Sequence, residues 1–259
     1  MSNYISSLFN LEGKVALLTG AGGFLVSEMS RSLAKAGARV VCCDAKLEHA
    51  ERTAGEIQAA GGQAIALQVD VRQRDAHERA LAETVRAFGR LDCLLNGAGT
   101  NAPTPFFEIP LEEWNDILAV QLTGTMLSCQ VFGRHLVSQR SGSIINISSA
   151  SSGPPLSKAF TYSVAKAGIK NLTQNLAREW GTLGVRVNAL RPGFFPTEWS
   201  MKHFITPDRE AAIHGHTAMR RYGHPSELAG AVLWLFSDAA SFVTGAEIAV
   251  DGGFTAMTI

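Results

Sequence analysis

Short apolar runs rich in valine, isoleucine and leucine recur along the chain, and between them apolar residues return every three or four positions over longer stretches. Continuous apolar runs suit strands buried on both faces, and the longer period suits amphipathic helices. The alternation therefore predicts βαβ units and a parallel sheet covered on both sides. Seven strands are expected near 15–19, 39–43, 64–69, 91–96, 143–148, 186–190 and 247–250. Helices are expected near 25–36, 47–60, 75–88, 111–138, 162–180 and 225–237. The fold class this predicts is α/β, a doubly wound seven-stranded parallel sheet with helices on both faces, in one domain spanning 1–259. Gly37, Gly61, Gly62, Gly89 and Gly181 each follow a predicted helix closely, where glycine takes the positive φ that ends it. The stretch 191–223, rich in Pro, Phe, His and Arg, has the least regular pattern and is long enough to form a lid over a site.

Composition narrows the function. The 23 Lys and Arg balance 23 Asp and Glu, and the pI is about 7.1, so no global field draws polyanions and no nucleic-acid partner is expected. Cys42, Cys43, Cys93 and Cys129 lie in apolar stretches without C-x-x-C or zinc-site spacing, which suggests reduced core residues of a cytoplasmic protein. Residues 1–13 carry no basic side chain and no apolar core of signal length, and no later run reaches 18 apolar residues. Neither secretion nor a membrane partner is expected.

The first strand runs straight into Thr19-Gly20-Ala21-Gly22-Gly23-Phe24-Leu25 and then a helical pattern. Backbone N–H groups of such a turn can face a pyrophosphate at the positive end of the helix, although a glycine cluster alone also serves an ordinary strand-to-helix turn. Asp44 ends the second strand at the spacing where a carboxylate accepts both adenosine ribose hydroxyls and repels a 2′-phosphate. Standing alone it would be a solvated turn residue. With no Lys or Arg inside the turn, NAD is the expected cofactor; Lys46 keeps NADP open.

Tyr162 and Lys166 are four residues apart in a predicted helix, so both project from one face. Lowering a phenol from its usual pKa of about 10 by roughly three units takes about 4 kcal/mol of preferential phenolate stabilisation, which a desolvated ammonium can largely supply. Ser149 follows the fifth strand directly, at the strand ends where doubly wound sheets bind ligands.

With these residues in place the sequence resembles the short-chain dehydrogenase/reductase family from about residue 13 to 253. The matching features are the Thr19-Gly20 turn, Asp70-Val71, Asn96-Gly97-Ala98-Gly99, Ser149, Tyr162-x-x-x-Lys166, Pro192-Gly193 with Thr197, and Val250-Asp251-Gly252-Gly253. The resemblance implies a Rossmann fold and a homotetramer, with apolar faces near Leu118, Met126, Leu172 and Leu176 available for packing between subunits. It implies that Asp70 and Val71 flank the adenine, that Asn96, Gly97 and Ala98 line the cofactor groove, and that Pro192, Gly193, Phe195 and Thr197 hold the carboxamide. Tyr162 would transfer a proton, assisted by Lys166, which also binds the nicotinamide ribose, while Ser149 holds the substrate oxygen.

Two departures stand out. The turn usually reads T-G-x-x-x-G-x-G, and here Phe24 and Val26 occupy the second and third glycine positions. Val26 should push the helix outward unless a small neighbour compensates, for which Ser27 is the candidate. The usual asparagine of the proton relay is Gln121, which keeps the amide and is expected to order a water leading to Lys166.

Substrate contacts are expected among Asn101, Ser149, Ser151, Tyr162, Phe194, Trp199, His203, His214 and His216. The stretches 129–133, 191–195 and 251–254 resemble the branch of the family acting on sugars, polyols and sugar acids, which suggests a small-molecule alcohol or ketone substrate of that kind. Rival readings are a 3-oxoacyl reductase and a cofactor-binding protein that has lost turnover. His214-x-His216 lacks a nearby acidic or cysteine ligand, and no metal is assigned. Arg220-Arg221 can meet a substrate anion, a neighbouring subunit or water.

Overall fold

A computed structural model describes residues 2–258, with the side chains of 4–198, 200–202 and 205–258. Seven strands form one parallel sheet in the order β3-β2-β1-β4-β5-β6-β7. They are β1 Val15–Thr19, β2 Arg39–Asp44, β3 Ala64–Gln68, β4 Cys93–Asn96, β5 Gly142–Ile147, β6 Val185–Pro192 and β7 Glu247–Val250. The order reverses between β1 and β4, which opens a crevice at the carboxyl ends of the strands.

Alternation along the strands divides the core. Ala16 and Leu18 of β1, Val40 and Cys42 of β2 and Cys93 and Leu95 of β4 pack under one layer of helices. That layer comprises α2 (Phe24–Lys35), α3 (Leu47–Ala59) and the late helix Ala229–Phe236. Val15, Leu17, Val41, Cys43 and Leu94 face the other layer, α4 (Arg74–Phe88), a helix over Gly124–Gln139 and one over Phe160–Trp180. Both faces being covered is why these strands read as continuous apolar runs. All four cysteines are free and buried, and burial pushes the Cys42, Cys93 and Cys129 thiols up to about 12.

A short α1 (Ser2–Phe9), for which no element was expected, precedes the first strand, and three expectations are corrected. The helix expected over 111–138 is α5 (Leu111–Leu118), a π turn over Ala119–Thr123, and α6 (Gly124–Gln139). Gly181 does not end α7 (Phe160–Trp180): its φ is −56°, and the chain continues through a 3-10 turn to Gly184 at φ 81°. Gly184 is the position that needs glycine, because a Cβ there would lie 2.1 Å from the Arg140 carbonyl oxygen. The irregular stretch after β6 contains α8 (Glu198–Phe204), capped by Thr197, and α9 (Pro207–Gly215), capped by Thr206 with proline in its first turn. A last helix, α10 (Ala229–Phe236), follows a 3-10 turn at Pro225–Leu228. Among the described residues no helix is long and apolar enough to cross a membrane.

Candidate active site

The crevice at the β1/β4 switch is a cleft of about 1140 Å³ running from Gly20 and Asp44 past Gly97 and Ala98 to Gln121, Tyr162 and Lys166. Its floor depends on missing side chains. Gly20 has φ 73°, and a Cβ there would lie 2.8 Å from the Ala98 Cα, so glycine lets the turn after β1 approach the loop after β4. At Gly22 a Cβ would meet the His49 Cβ at 2.3 Å, so this glycine admits α3. The N-terminus of α2 begins at Gly23 without a side-chain cap, leaving its first N–H groups free to meet an anion. Gly20, Gly22, Gly23, Phe24 and Leu25 all line the cleft.

Asp44 sits at the end of β2 with one oxygen accepting the Gly22 N–H at 3.1 Å and the other the Lys46 N–H at 3.1 Å. The carboxylate thus fixes the glycine turn as well as facing the cleft. The sequence reading missed Arg52 of α3, whose guanidinium donates to the Gly22 carbonyl at 2.9 Å and places a cation beside the turn. Asp70 lines the cleft and is gripped by Arg72 through Nε at 3.0 Å and a terminal nitrogen at 2.7 Å, which holds its carboxyl below the usual range. Val71 lies beside it and packs on Gly124.

Asn96 is placed differently from the groove role the resemblance implied. Its side chain is buried, accepting from Ser128 Oγ at 2.5 Å and donating to Asn146 Oδ1 at 2.9 Å, and Asn146 in turn donates to Thr173. The groove wall is Gly97, Ala98 and Gly99 instead, with Thr19 Oγ1 accepting the N–H groups of Gly97 and Ala98. Ser27 does not compensate for Val26, because its hydroxyl turns back to the Phe24 carbonyl; the space is made at Gly97, where a Cβ would meet the Val26 Cγ2 at 2.6 Å.

At the other end of the cleft, α7 brings Tyr162 and Lys166 to one face. Lys166 is 3% exposed, and its ammonium donates to the Ile147 carbonyl at 2.7 Å and lies 5.4 Å from the Tyr162 ring centroid. Burial brings its pKa down to about 7. Burial pushes the Tyr162 hydroxyl up, and its hydrogen bond with Ser149 pulls the other way. Ser149 follows β5 and accepts from Ser151 N–H at 3.2 Å and Ser151 Oγ at 3.1 Å. Ser151 is itself buried.

Gln121 lies in the π turn, which inserts an extra residue and turns its side chain inward; it is 1% exposed. Its amide nitrogen donates to the Thr100 carbonyl at 2.7 Å, and its oxygen is buried without a protein partner. Gly99 makes this possible, since a Cβ there would sit 2.8 Å from that oxygen.

Of the segment after β6, Phe195 and Thr197 line the cleft. Pro192 is buried, Gly193 donates to Val250 and abuts Asp251, and Phe194 packs on Phe254 in a separate 370 Å³ cavity. Asn101 lines the cleft and donates to the Lys158 carbonyl at 3.4 Å. His214 packs on Tyr222 and His216 on Phe254. The side chains of Trp199 and His203 lie outside the described residues.

A parallel doubly wound sheet with a phosphate-type turn at one end of its crevice and a tyrosine–lysine–serine cluster at the other defines a nicotinamide-dependent oxidoreductase. The chain belongs to the short-chain dehydrogenase/reductase family: a family model described as enoyl-(acyl carrier protein) reductase matches residues 26–255. It is 37% identical to a galactitol 2-dehydrogenase (L-tagatose-forming) of Cereibacter sphaeroides, over 96% of this chain and 98% of that one. It is similar to the crystal structure of a gluconate 5-dehydrogenase from Burkholderia cenocepacia J2315 in complex with NADP and tartrate (TM-score 0.93, 30% identity, 98% and 100% of the two chains). It is likewise similar to a putative D-mannonate oxidoreductase from Haemophilus influenza with bound NAD (TM-score 0.92, 33% identity, 98% and 99%). The chain is an oxidoreductase acting on CH–OH groups.

Proposed function

We propose that the protein is an NAD-dependent dehydrogenase that interconverts a secondary alcohol and a ketone on a sugar, polyol or sugar acid, and that it works in the cytoplasm as a homotetramer. The observation that carries this reading is that Tyr162 and Lys166 of α7 line the cleft that the glycine turn begins, with Ser149, just past β5, hydrogen-bonded to Tyr162. The kinship to enzymes named for galactitol and gluconate supports a polyhydroxylated substrate. Asp44, anchored beside the ribose end of the cleft, supports NAD through its charge. The segment 191–223 serves as the lid over the substrate.

The residues fit a dinucleotide: Gly20, Gly22, Gly23, Phe24 and Leu25 would take the pyrophosphate, Asp44 the adenosine ribose, and Asp70, Val71, Gly97 and Ala98 the adenine side of the groove. When bound, the nicotinamide supplies the acceptor or donor of a hydride. The chain's own part is the proton. In the oxidative direction the substrate hydroxyl, held by the Ser149 hydroxyl, gives its proton to the Tyr162 oxygen as the C–H electron pair leaves with the hydride. Lys166 supports the phenolate electrostatically. Gln121 holds a water with its unpartnered oxygen, leading the proton on towards Lys166.

A panel of sugars, polyols, sugar acids and acyl thioesters, each assayed with NAD and NADP, tests the reading. Turnover of a polyol or sugar acid with NAD, abolished by Tyr162→Phe while NADH still binds, is expected. Preferential reduction of acyl thioesters, the chemistry for which the matching family model is described, would replace it.

A further inference from the structure

Beside the cluster described above lies a buried charge that no step yet uses. Glu247 opens β7, and its side chain is 7% exposed. Its Oε1 accepts the hydroxyl of Ser148 at 2.6 Å and that of Ser152 at 2.7 Å. Its Oε2 faces the Arg191 guanidinium of β6 and the Lys170 ammonium of α7 at 3.4 Å. Burial pushes the carboxyl up, but hydrogen bonds from Arg191, Ser148 and Ser152 outweigh it, so the group is an anion at neutral pH.

The two serines are the ends of the segment that leaves β5 and carries Ser149. Within it, Ala150 N–H continues the ladder to the Pro192 carbonyl at 3.1 Å, and Ser152 N–H closes a turn onto the Ser149 carbonyl at 2.9 Å. Ser148, Ala150, Ser151 and Ser152 are buried, and Ser149 alone in the segment is partly open. One carboxylate oxygen, reaching from a strand two places along the sheet, therefore ties both ends of the turn that presents the Ser149 hydroxyl.

Stability is a poor reason for this arrangement. A buried carboxylate among two cations and two hydroxyls is often no better for the fold than apolar residues of the same volume. Arg191 commits its terminal nitrogen to Glu247 while its Nε stays buried and unpaired. What the network does secure is position, and reacting groups must be held to within about 0.5 Å. We propose that Glu247 is a positioning residue whose carboxylate clips Ser148 to Ser152 and so sets the Ser149 hydroxyl against Tyr162. The proposal rests on the reading of Ser149 as the group that holds the substrate oxygen.

The test separates the clip from the ion pair and from the activity. Ser148→Ala with Ser152→Ala removes both clipping hydroxyls and leaves Glu247 with Arg191. Amide exchange at Ser152 and Ala150 is expected to accelerate, and kcat to fall by about tenfold or more with a larger deuterium isotope effect on hydride transfer. NADH affinity should stay within about twofold of wild type. Glu247→Gln keeps an oxygen for both hydroxyls and should retain far more kcat than Glu247→Ala. Unchanged amide exchange in the double variant overturns the clip, whether or not turnover changes. Faster exchange with wild-type kcat and isotope effect overturns the positioning role. If Ser149→Ala itself turns over like wild type, the reading of Ser149 fails, and the exchange measurement alone decides whether Glu247 holds the turn.

Discussion

Val26 lies against Gly97, and a Cβ on that glycine would come within 2.6 Å of the Val26 Cγ2. The close approach of the first helix to the sheet normally relies on a glycine in the helix. Here the branched side chain is on the helix and the missing one is on the loop after β4, so the space has moved across the interface. Val26 is 5% exposed and belongs to the core that includes Met29 and Leu95.

The pair should therefore be coupled. Gly97→Ala alone is expected to destabilise by about 1–3 kcal/mol, the usual cost of overpacking. Val26→Ala carries its own cost of lost core packing, but combined with Gly97→Ala the total loss should fall short of the sum of the two by about 1 kcal/mol in a urea-unfolding cycle. Simple additivity of the two changes would mean that they do not share the space.

The sheet was legible in the sequence because its strands are buried on both faces and read as unbroken apolar runs. The predicted strand at 15–19 and that at 247–250 match the structure to the residue. The π turn at Ala119–Thr123 was not legible, since apolar residues continue through it and only the inward rotation of Gln121 marks it. α8 and α9 were passed over although Thr197 and Thr206-Pro207 carry ordinary start signals, because the Pro- and Phe-rich composition hid two short helices. Asn96 sits in a motif, yet its side chain turns inward because β4 pairs with β5 and sets Asn96 directly opposite Asn146. Glu247 did leave a trace, a lone carboxylate heading an apolar strand.

Cofactor choice can be tested at Asp44 and Arg52. Asp44→Asn keeps an acceptor for one of the Gly22 and Lys46 N–H groups while removing the charge that repels a 2′-phosphate. With the Arg52 cation already beside the turn, the NADP-to-NAD ratio of kcat/KM should rise by about tenfold or more, the scale of 1.4 kcal/mol. Adding Arg52→Ala should reverse part of that gain. A ratio unmoved by both changes would show that neither residue reads the ribose.

Gln121 offers a second test at the far end of the cleft. Its buried, unpartnered oxygen is the feature that calls for a water, and an amide is needed to hold the Thr100 carbonyl as well. Gln121→Ala should lower kcat by about tenfold or more, within the range ascribed to proton-transfer groups, and shift the pH profile of kcat while leaving NADH binding nearly intact. Gln121→Asn, which keeps both the amide donor and the acceptor oxygen, should retain more activity than the alanine variant. Unchanged turnover and pH profile in Gln121→Ala would remove it from the proton path.

Lys166 carries the clearest pH signature. Burial lowers its pKa from 10.5 to about 7, so between those values the unfolded chain binds a proton that the folded chain does not. Stability must then rise with pH across that window, and the buried ammonium is a burden at and below neutrality. Lys166→Met removes the burden and forfeits the hydrogen bond to Ile147, worth about 1 kcal/mol. The net expectation at pH 7 is a variant more stable by on the order of 2 kcal/mol and without turnover. That advantage should vanish as the pH approaches 10, where wild-type Lys166 is neutral in the fold. Urea unfolding at pH 7, 8.5 and 10 measures it, and a wild type whose stability does not climb relative to the methionine variant would mean that Lys166 keeps its proton when buried.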